Sequence, residues 1–225
     1  MSSSPIDDKE PQPLPELRAF EEWDFASLAD DRARNPEYNE RRLATRRKLA
    51  TLAKHARGEL AAAGLALEPR TSLHNPHGFN GMRVTRLWAY LTRAKSEKSR
   101  LRRTLGPLLG KDLDAAYRNA YLCMAIESEA LEVSLRIHAD AWFDGQNLVR
   151  RVKVEGARGF LTLLNTLDGF YLRLHDWKGE WRCGAIAPEW LDEYLKRYVP
   201  GEHSLAVERR WPLPKASVPA RSAAL

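Results

Sequence analysis

The fold of this chain is decided by residues 120–148, AYLCMAIESEALEVSLRIHADAWFDGQNL. Two apolar runs, 121–126 and 131–137, lie on either side of a short polar break. Every second residue of the later run is apolar, which is typical of a half-buried strand because successive side chains point to opposite faces. The polar positions of that strand are Glu132, Ser134, Arg136 and His138. The stretch therefore predicts a central β-hairpin, followed by a polar corner and a helix.

Similar patterns elsewhere in the chain extend this hairpin into a sheet. The predicted strands are 82–92, 121–127, 131–139, 170–176, 181–186 and 204–211. In the first of them, the aliphatic residues from Leu87 to Leu91 face the core. Arg86, Trp88 and Tyr90 then share the opposite face.

A second hairpin is predicted to join the strands 170–176 and 181–186. Lys178-Gly179 lies between them and suits a two-residue turn, since glycine adopts the backbone angles that such turns require. The register set by this turn pairs Leu174 with Cys183 and Leu172 with Ala185.

Helical spacing of apolar residues predicts four helices. The longest runs from about Asn39 to Ala63 and ends at Gly64, a favourable stop. Three others cover 145–154, 158–167 and 188–199, and Asp144 is in position to cap the first of these. The basic residues on the exterior of the long helix are Arg41, Arg42, Arg46, Arg47, Lys48, Lys54 and Arg57.

These elements predict an α+β fold with an antiparallel sheet of five or six strands. The sheet contains two hairpins, helices cover one face, and the long basic helix near the N-terminus packs across it. Residues 68–81 are predicted to be a loop or a frayed strand, with Asn75-Pro76, Gly78 and Asn80-Gly81 as turn signals. His74 and His77 lie in this loop without a geometry that favours metal binding.

Composition predicts three segments. Residues 1–34 form a disordered, acidic and proline-rich arm, 35–212 a single domain, and 213–225 a flexible tail. The chain lacks the pattern of a signal peptide and the roughly 18 apolar residues of a membrane span, so we expect a cytoplasmic protein with no membrane partner. Cys123 and Cys183 show no CxxC spacing, and we expect both to be reduced and buried.

Charge is strongly segregated along the chain. Residues 1–31 hold nine acidic and two basic side chains, residues 32–118 hold seven and twenty, and the remainder holds fourteen of each. The net charge of +6 therefore comes from residues 32–118, which favours a polyanionic partner. Within the arm, the spacing of apolar residues from Leu17 to Leu28 predicts a short amphipathic helix that docks on the domain, either as a structural clasp or as a competitor. We formulate the hypothesis that this acidic segment packs over the basic region and competes with an external anion, so that removing residues 1–31 strengthens anion binding.

Nucleic acid is the polyanion that this region suits best. Trp88 and Tyr90 can stack on bases, and basic side chains that neutralise phosphates release counterions. The predicted nucleic-acid-binding residues are Arg86, Trp88, Arg93, Lys95, Lys98, Arg100, Arg102 and Arg103.

An enzymatic alternative rests on the corner at residues 138–147. His138 and Asp140 can form an acid–base couple, and Asp140 and Asp144 resemble in kind the carboxylates of a metal-dependent nuclease or hydrolase. Glu127 and Glu129 lie at the other end of the hairpin and cannot share an ion with them. No metal site and no cofactor are predicted.

Three functions remain open from the sequence. The first is a non-enzymatic binding module with a basic surface for nucleic acid or another polyanion. The second is the nuclease or hydrolase, with His138, Asp140 and Asp144 as its catalytic candidates. The third is a protein-interaction or scaffold subunit that uses the acidic arm.

Overall fold

A computed structural model describes residues 16–77, 80–175 and 179–213 of the chain. The strands are β1 (Leu67–Thr71), β2 (Arg86–Arg93), β3 (Ala120–Glu127), β4 (Ala130–Ile137), β5 (Tyr171–Leu174), β6 (Glu180–Arg182) and β7 (Leu205–Pro212). The helices are α1 (Glu22–Ala26), α2 (Asn39–Ala62), α3 (Lys95–Leu109), α4 (Trp142–Glu155), α5 (Ala157–Asn165) and α6 (Pro188–Arg197).

All seven strands form one antiparallel sheet in the order β1–β2–β3–β4–β7–β5–β6. The predicted α+β class is confirmed, but the predicted number of five or six strands is wrong. The predicted central hairpin is confirmed as β3 and β4, which occupy the third and fourth positions of the sheet. Their register pairs Met124 with Val133.

The additional strand is β1, at the start of the region predicted to be a loop or a frayed strand, so the strand alternative is the one observed there. Its sequence, LEPRT, has no alternating apolar pattern, so only pairing with β2 makes it a strand. Pro69 lies within it and has no backbone N–H to donate. An edge strand tolerates proline, because one side of the strand has no partner.

The predicted register of the second hairpin is wrong. Leu172 pairs with Trp181 rather than with Ala185. β5 is held on its other side by β7, where Leu172 pairs with Val207, so contacts distant in sequence fix its position. Lys178, half of the predicted turn, lies outside the described residues.

The apolar face of the sheet carries two clusters of buried residues. The first lies beneath α1 and α2 and includes Leu49 and Ala53 with Leu87 of β2. The second lies beneath α4, α5 and α6 and includes Leu164 and Tyr194. By the strand registers, the other face contains the polar residues of β2, β3, β4, β5 and β7.

The first described residues are part of the core. Residues 16–34 belong to the arm predicted to be disordered, but Phe25 and Leu28 are buried against α2 and β2, as the predicted docking of residues 17–28 on the domain requires. Arg42, predicted on the basic exterior of α2, is also buried. Its guanidinium donates hydrogen bonds to the carbonyl oxygens of Ser27, Arg32 and Asn35. The prediction that Arg42 lies on the exterior of α2 is therefore wrong, because its hydrogen bonds to these carbonyl oxygens hold the side chain in a buried position.

Candidate ligand groove on the polar sheet face

A ladder of alternating ion pairs crosses the polar face. Its members come from β2, β3, β4, β5, β6 and β7, so the sheet register alone brings them together. The ladder residues are Arg86, Arg136, Arg173 and Arg210 with Glu127, Glu132, Glu180 and Glu208. Four positive and four negative side chains make the ladder neutral.

Glu132 is the centre of the ladder and is almost completely buried. Its carboxylate accepts hydrogen bonds from Arg86, Arg136 and Arg210. Burial opposes its ionisation, but the charges of Arg86 and Arg136 outweigh burial and lower the pKa of Glu132. The same carboxylate raises the pKa of Arg86 against the effect of burial. Both groups are therefore held charged.

Two cavities open on the polar face. The tryptophan cavity, of about 360 Å³, is lined by Thr71, Ser72, Leu73, Asn75, His77, Arg83, Val84, Arg86, Trp88 and Tyr90. The histidine cavity, of about 390 Å³, is lined chiefly by Tyr121, Arg136, His138, Arg173, His175, Glu180, Ser204 and Glu208.

The rings of Tyr90 and Tyr121 connect these cavities. Their centroids are 5.9 Å apart with an interplanar angle of 68°, an edge-to-face contact. Tyr90 lines the tryptophan cavity and Tyr121 lines the histidine cavity, so the two cavities lie side by side on the polar face and meet at this ring contact. We call the two adjacent cavities together the polar-face groove. From β2 to β5 it extends over four strand spacings, or about 19 Å.

The loop after β1 forms one wall of this groove. Ser72 continues the pairing of β1 with β2 beyond the end of the strand. Its N–H donates to the carbonyl of Trp88, and its hydroxyl accepts from the N–H of Trp88. Arg46 of α2 donates a hydrogen bond of 2.7 Å to the carbonyl oxygen of Ser72 and so connects the loop to α2. His74, near this wall, has a buried Nδ1 without a hydrogen-bond partner among the described residues. Burial, followed by the charge of Arg46, lowers its pKa.

The predicted nucleic-acid-binding residues are separated into three places. Arg86 and Trp88 lie in the polar-face groove. Arg93 points to the apolar face, where it forms an ion pair with Asp144. The other five lie on α3, which follows β2 directly.

On α3, most of the cations already have carboxylate partners. Lys98 is buried and lies 3.8 Å from Asp114, which also contacts Arg102 at 3.4 Å. Arg100 is paired with Glu97. Lys95 and Arg103 have no carboxylate partner among the described residues, so they are the α3 cations most available to a ligand.

The corner at residues 138–147 does not form a single site. α4 begins at Trp142, so the predicted capping role of Asp144 is wrong. Asp144 is drawn inward instead, because it pairs with Arg93 and accepts from the backbone N–H of Ala120 at 2.5 Å. His138 and Asp140 interact with each other, with 3.5 Å between Nδ1 and Oδ2.

Metal binding at this corner has no support from the geometry. In the ranges that the structure describes, no group of three or more His, Cys, Asp and Glu side chains is placed to hold a metal ion.

None of the described helices is long and apolar enough to span a bilayer. Comparisons with protein-family models and with curated proteins give no match for this chain.

Several groove residues were missed in the sequence. Tyr121, Arg136, Arg173, His175 and Glu208 are distant in sequence and meet only through strand pairing. The available signal was the polar face of each predicted strand, on which Arg136 was already placed. That signal shows which face a residue occupies but not which strands are neighbours.

Proposed function

We propose that this protein is a non-enzymatic binding module that holds a single-stranded nucleic acid along the polar-face groove. The observation that carries this proposal is the alignment of two cavities side by side on the polar face, where Tyr90 of one contacts Tyr121 of the other. An extended ligand fits a groove of this kind, whereas a compact substrate would occupy one cavity.

Aromatic side chains give the groove its affinity for bases. Trp88 is 37% exposed although it lies in the middle of a strand. Stacking of a base on an aromatic ring contributes about 1–3 kcal/mol and does not depend on base identity. Trp88 and Tyr90 therefore support binding with little sequence preference.

The exposed cations of the helix that follows β2 suit the phosphates. The ion-pair ladder is neutral, so the excess positive charge of residues 32–118 lies elsewhere on the surface. Lys95 and Arg103 of α3 are exposed, and α3 starts two residues after the end of β2. Contacts of this kind make affinity fall with salt, by about 0.7 in slope for each phosphate of a single strand.

The test measures binding of a fluorescently labelled single-stranded oligonucleotide by anisotropy across a series of salt concentrations. Trp88→Ala is expected to weaken binding about tenfold, as lost stacking on one base predicts. Trp190→Ala is the matched control, because Trp190 is 52% exposed on α6.

The same assay tests the cations of α3. The double variant Lys95→Ala/Arg103→Ala is expected to reduce the salt slope by about 1.4 if each residue contacts one phosphate. Arg158→Ala, an exposed arginine on α5, should leave the slope unchanged. An oligonucleotide affinity that does not change with salt concentration and is equal in all variants would reject the proposal.

A further inference from the structure

The carboxylates of the histidine cavity are already engaged by arginines. Glu208 accepts a hydrogen bond of 2.8 Å from Arg136 and lies 2.7 Å from Nε of Arg173. Glu180 is paired with the same Arg173. A ligand that enters this cavity therefore meets few free acceptors.

The cavity also contains hydrogen-bond donors that have no partner among the described residues. Nδ1 of His138 accepts from the N–H of Asp140 at 3.1 Å, and Nδ1 of His175 accepts from the N–H of Ser204 at 2.9 Å. A neutral imidazole has one donor and one acceptor nitrogen, so Nε2 carries the hydrogen in both rings. Neither Nε2 has a hydrogen-bond partner among the described residues.

Arg136 and Tyr121 supply two more donors. Arg136 uses Nε and Nη2 for Ser134, Glu132 and Glu208, whereas its Nη1 makes no hydrogen bond to a described residue. Burial is the main reason that the pKa of Tyr121 is raised, so its hydroxyl stays protonated. Four unengaged donors thus come from residues that line the same cavity.

A cation without a carboxylate partner among the described residues is linked to His138 through one tyrosine ring. The guanidinium of Arg118 stacks at 5.7 Å over the ring of Tyr117, which contacts the ring of His138 at 5.9 Å. Nε of Arg118 is buried without a hydrogen-bond partner in the described part of the chain. Arg118 also has no carboxylate partner there, so its positive charge is available near the cavity.

From these contacts we infer that the histidine cavity is a binding site for an anionic group, either a phosphate or a carboxylate. Convergent donors and an uncompensated cation are what such a group requires, because an ionised oxygen accepts several strong hydrogen bonds. The inference does not depend on nucleic acid as the ligand of the groove, since any ligand with an anionic end satisfies it.

The experiment titrates the full chain with inorganic phosphate and, separately, with acetate while histidine ring signals are followed by NMR. The signals of His138 and His175 are expected to shift saturably with at least one of the two anions. His55 and His74 line neither cavity and serve as internal references. Shifts that saturate with phosphate identify a phosphate site, and shifts that saturate with acetate identify a carboxylate site.

Variants then connect the shifts to the proposed donors. His138→Gln, followed at the ring signal of His175, and His175→Gln, followed at that of His138, are each expected to weaken binding of the titrated anion about tenfold, because one hydrogen bond to a charged group is lost. Arg118→Gln, whose side chain lies outside the cavity lining, should weaken it as well, and His55→Gln should have no effect. Equal binding by all variants, or equal shifts of all six histidines, would overturn the inference. If oligonucleotide binding fails while these shifts persist, only the proposed function is lost.

Discussion

Arg86 on β2 reaches across β3 to Glu132 on β4, with 3.1 Å from its Nη2 to each carboxylate oxygen. The contact spans two strand spacings, and the residue of β3 that pairs with Glu132 is Ala125, which is small and buried. Because Ala125 leaves space above the sheet, the long side chains meet over it. Glu132 thus links Arg86, which lines the tryptophan cavity, to Arg136, which lines the histidine cavity, and the properties of this carboxylate lead to the first predictions.

Loss of the Glu132 carboxylate should destabilise the protein. Glu132→Gln leaves Arg86, Arg136 and Arg210 with a neutral partner at a buried position, and we expect the free energy of unfolding to fall by about 3 kcal/mol. Urea denaturation measures this change. Glu129→Gln, at an exposed position in the turn of the same hairpin, is the control and should alter stability little.

The same residue should give stability a specific pH dependence. The pKa of Glu132 is lowered in the folded protein from its ordinary value of 4.5, so its contribution is complete above that value and is lost as pH falls through the folded pKa. The difference in unfolding free energy between the natural protein and Glu132→Gln should therefore shrink below about pH 4.5. A difference that stays constant from pH 7 to pH 3 would contradict the assignment.

Arg42 should be far more important for stability than the exposed arginines of α2. Replacement by alanine leaves three carbonyl oxygens without their donor, and we expect a loss of about 3 kcal/mol. Arg47→Ala is the control on the same helix, because Arg47 is exposed. Thermal unfolding of both variants would contradict this expectation if the two midpoints were equal.

The two cysteines should resist thiol reagents in the folded protein. Both thiols are free and buried, and burial raises the pKa of Cys123 and raises that of Cys183 to about 11. We expect neither to react with a thiol-specific dye at pH 8 until denaturant is added, when two equivalents should react. Rapid labelling without denaturant would show that the sheet opens readily.

The hypothesis that the acidic N-terminal segment competes with an external anion needs a shorter deletion than the sequence suggests. Removing residues 1–31 also removes Phe25 and Leu28 from the core, so we expect that variant to be poorly folded. Removing residues 1–15 leaves this packing intact and is expected to strengthen oligonucleotide binding. Unchanged affinity of the shorter deletion would refute the competition.

The sequence by itself determined the features that depend on neighbouring residues. Alternation in residues 131–137 specified the face of each side chain in β4, and the apolar stripe of α2 specified its packing side, because both patterns follow from local backbone geometry. The central hairpin, the α+β class and the opposite placement of Trp88 and Leu87 were predictable for this reason.

Only the tertiary structure decided which polar residues meet. β1 exists because β2 pairs with it, and the register of β5 follows from β7 rather than from the turn. Asp144 turns from a helix cap into the partner of Arg93 because β2 and α4 are brought together by the sheet. The groove is built in the same way, since residues as distant as Arg86, Tyr121 and Arg173 become neighbours only through strand order, which local patterns do not encode.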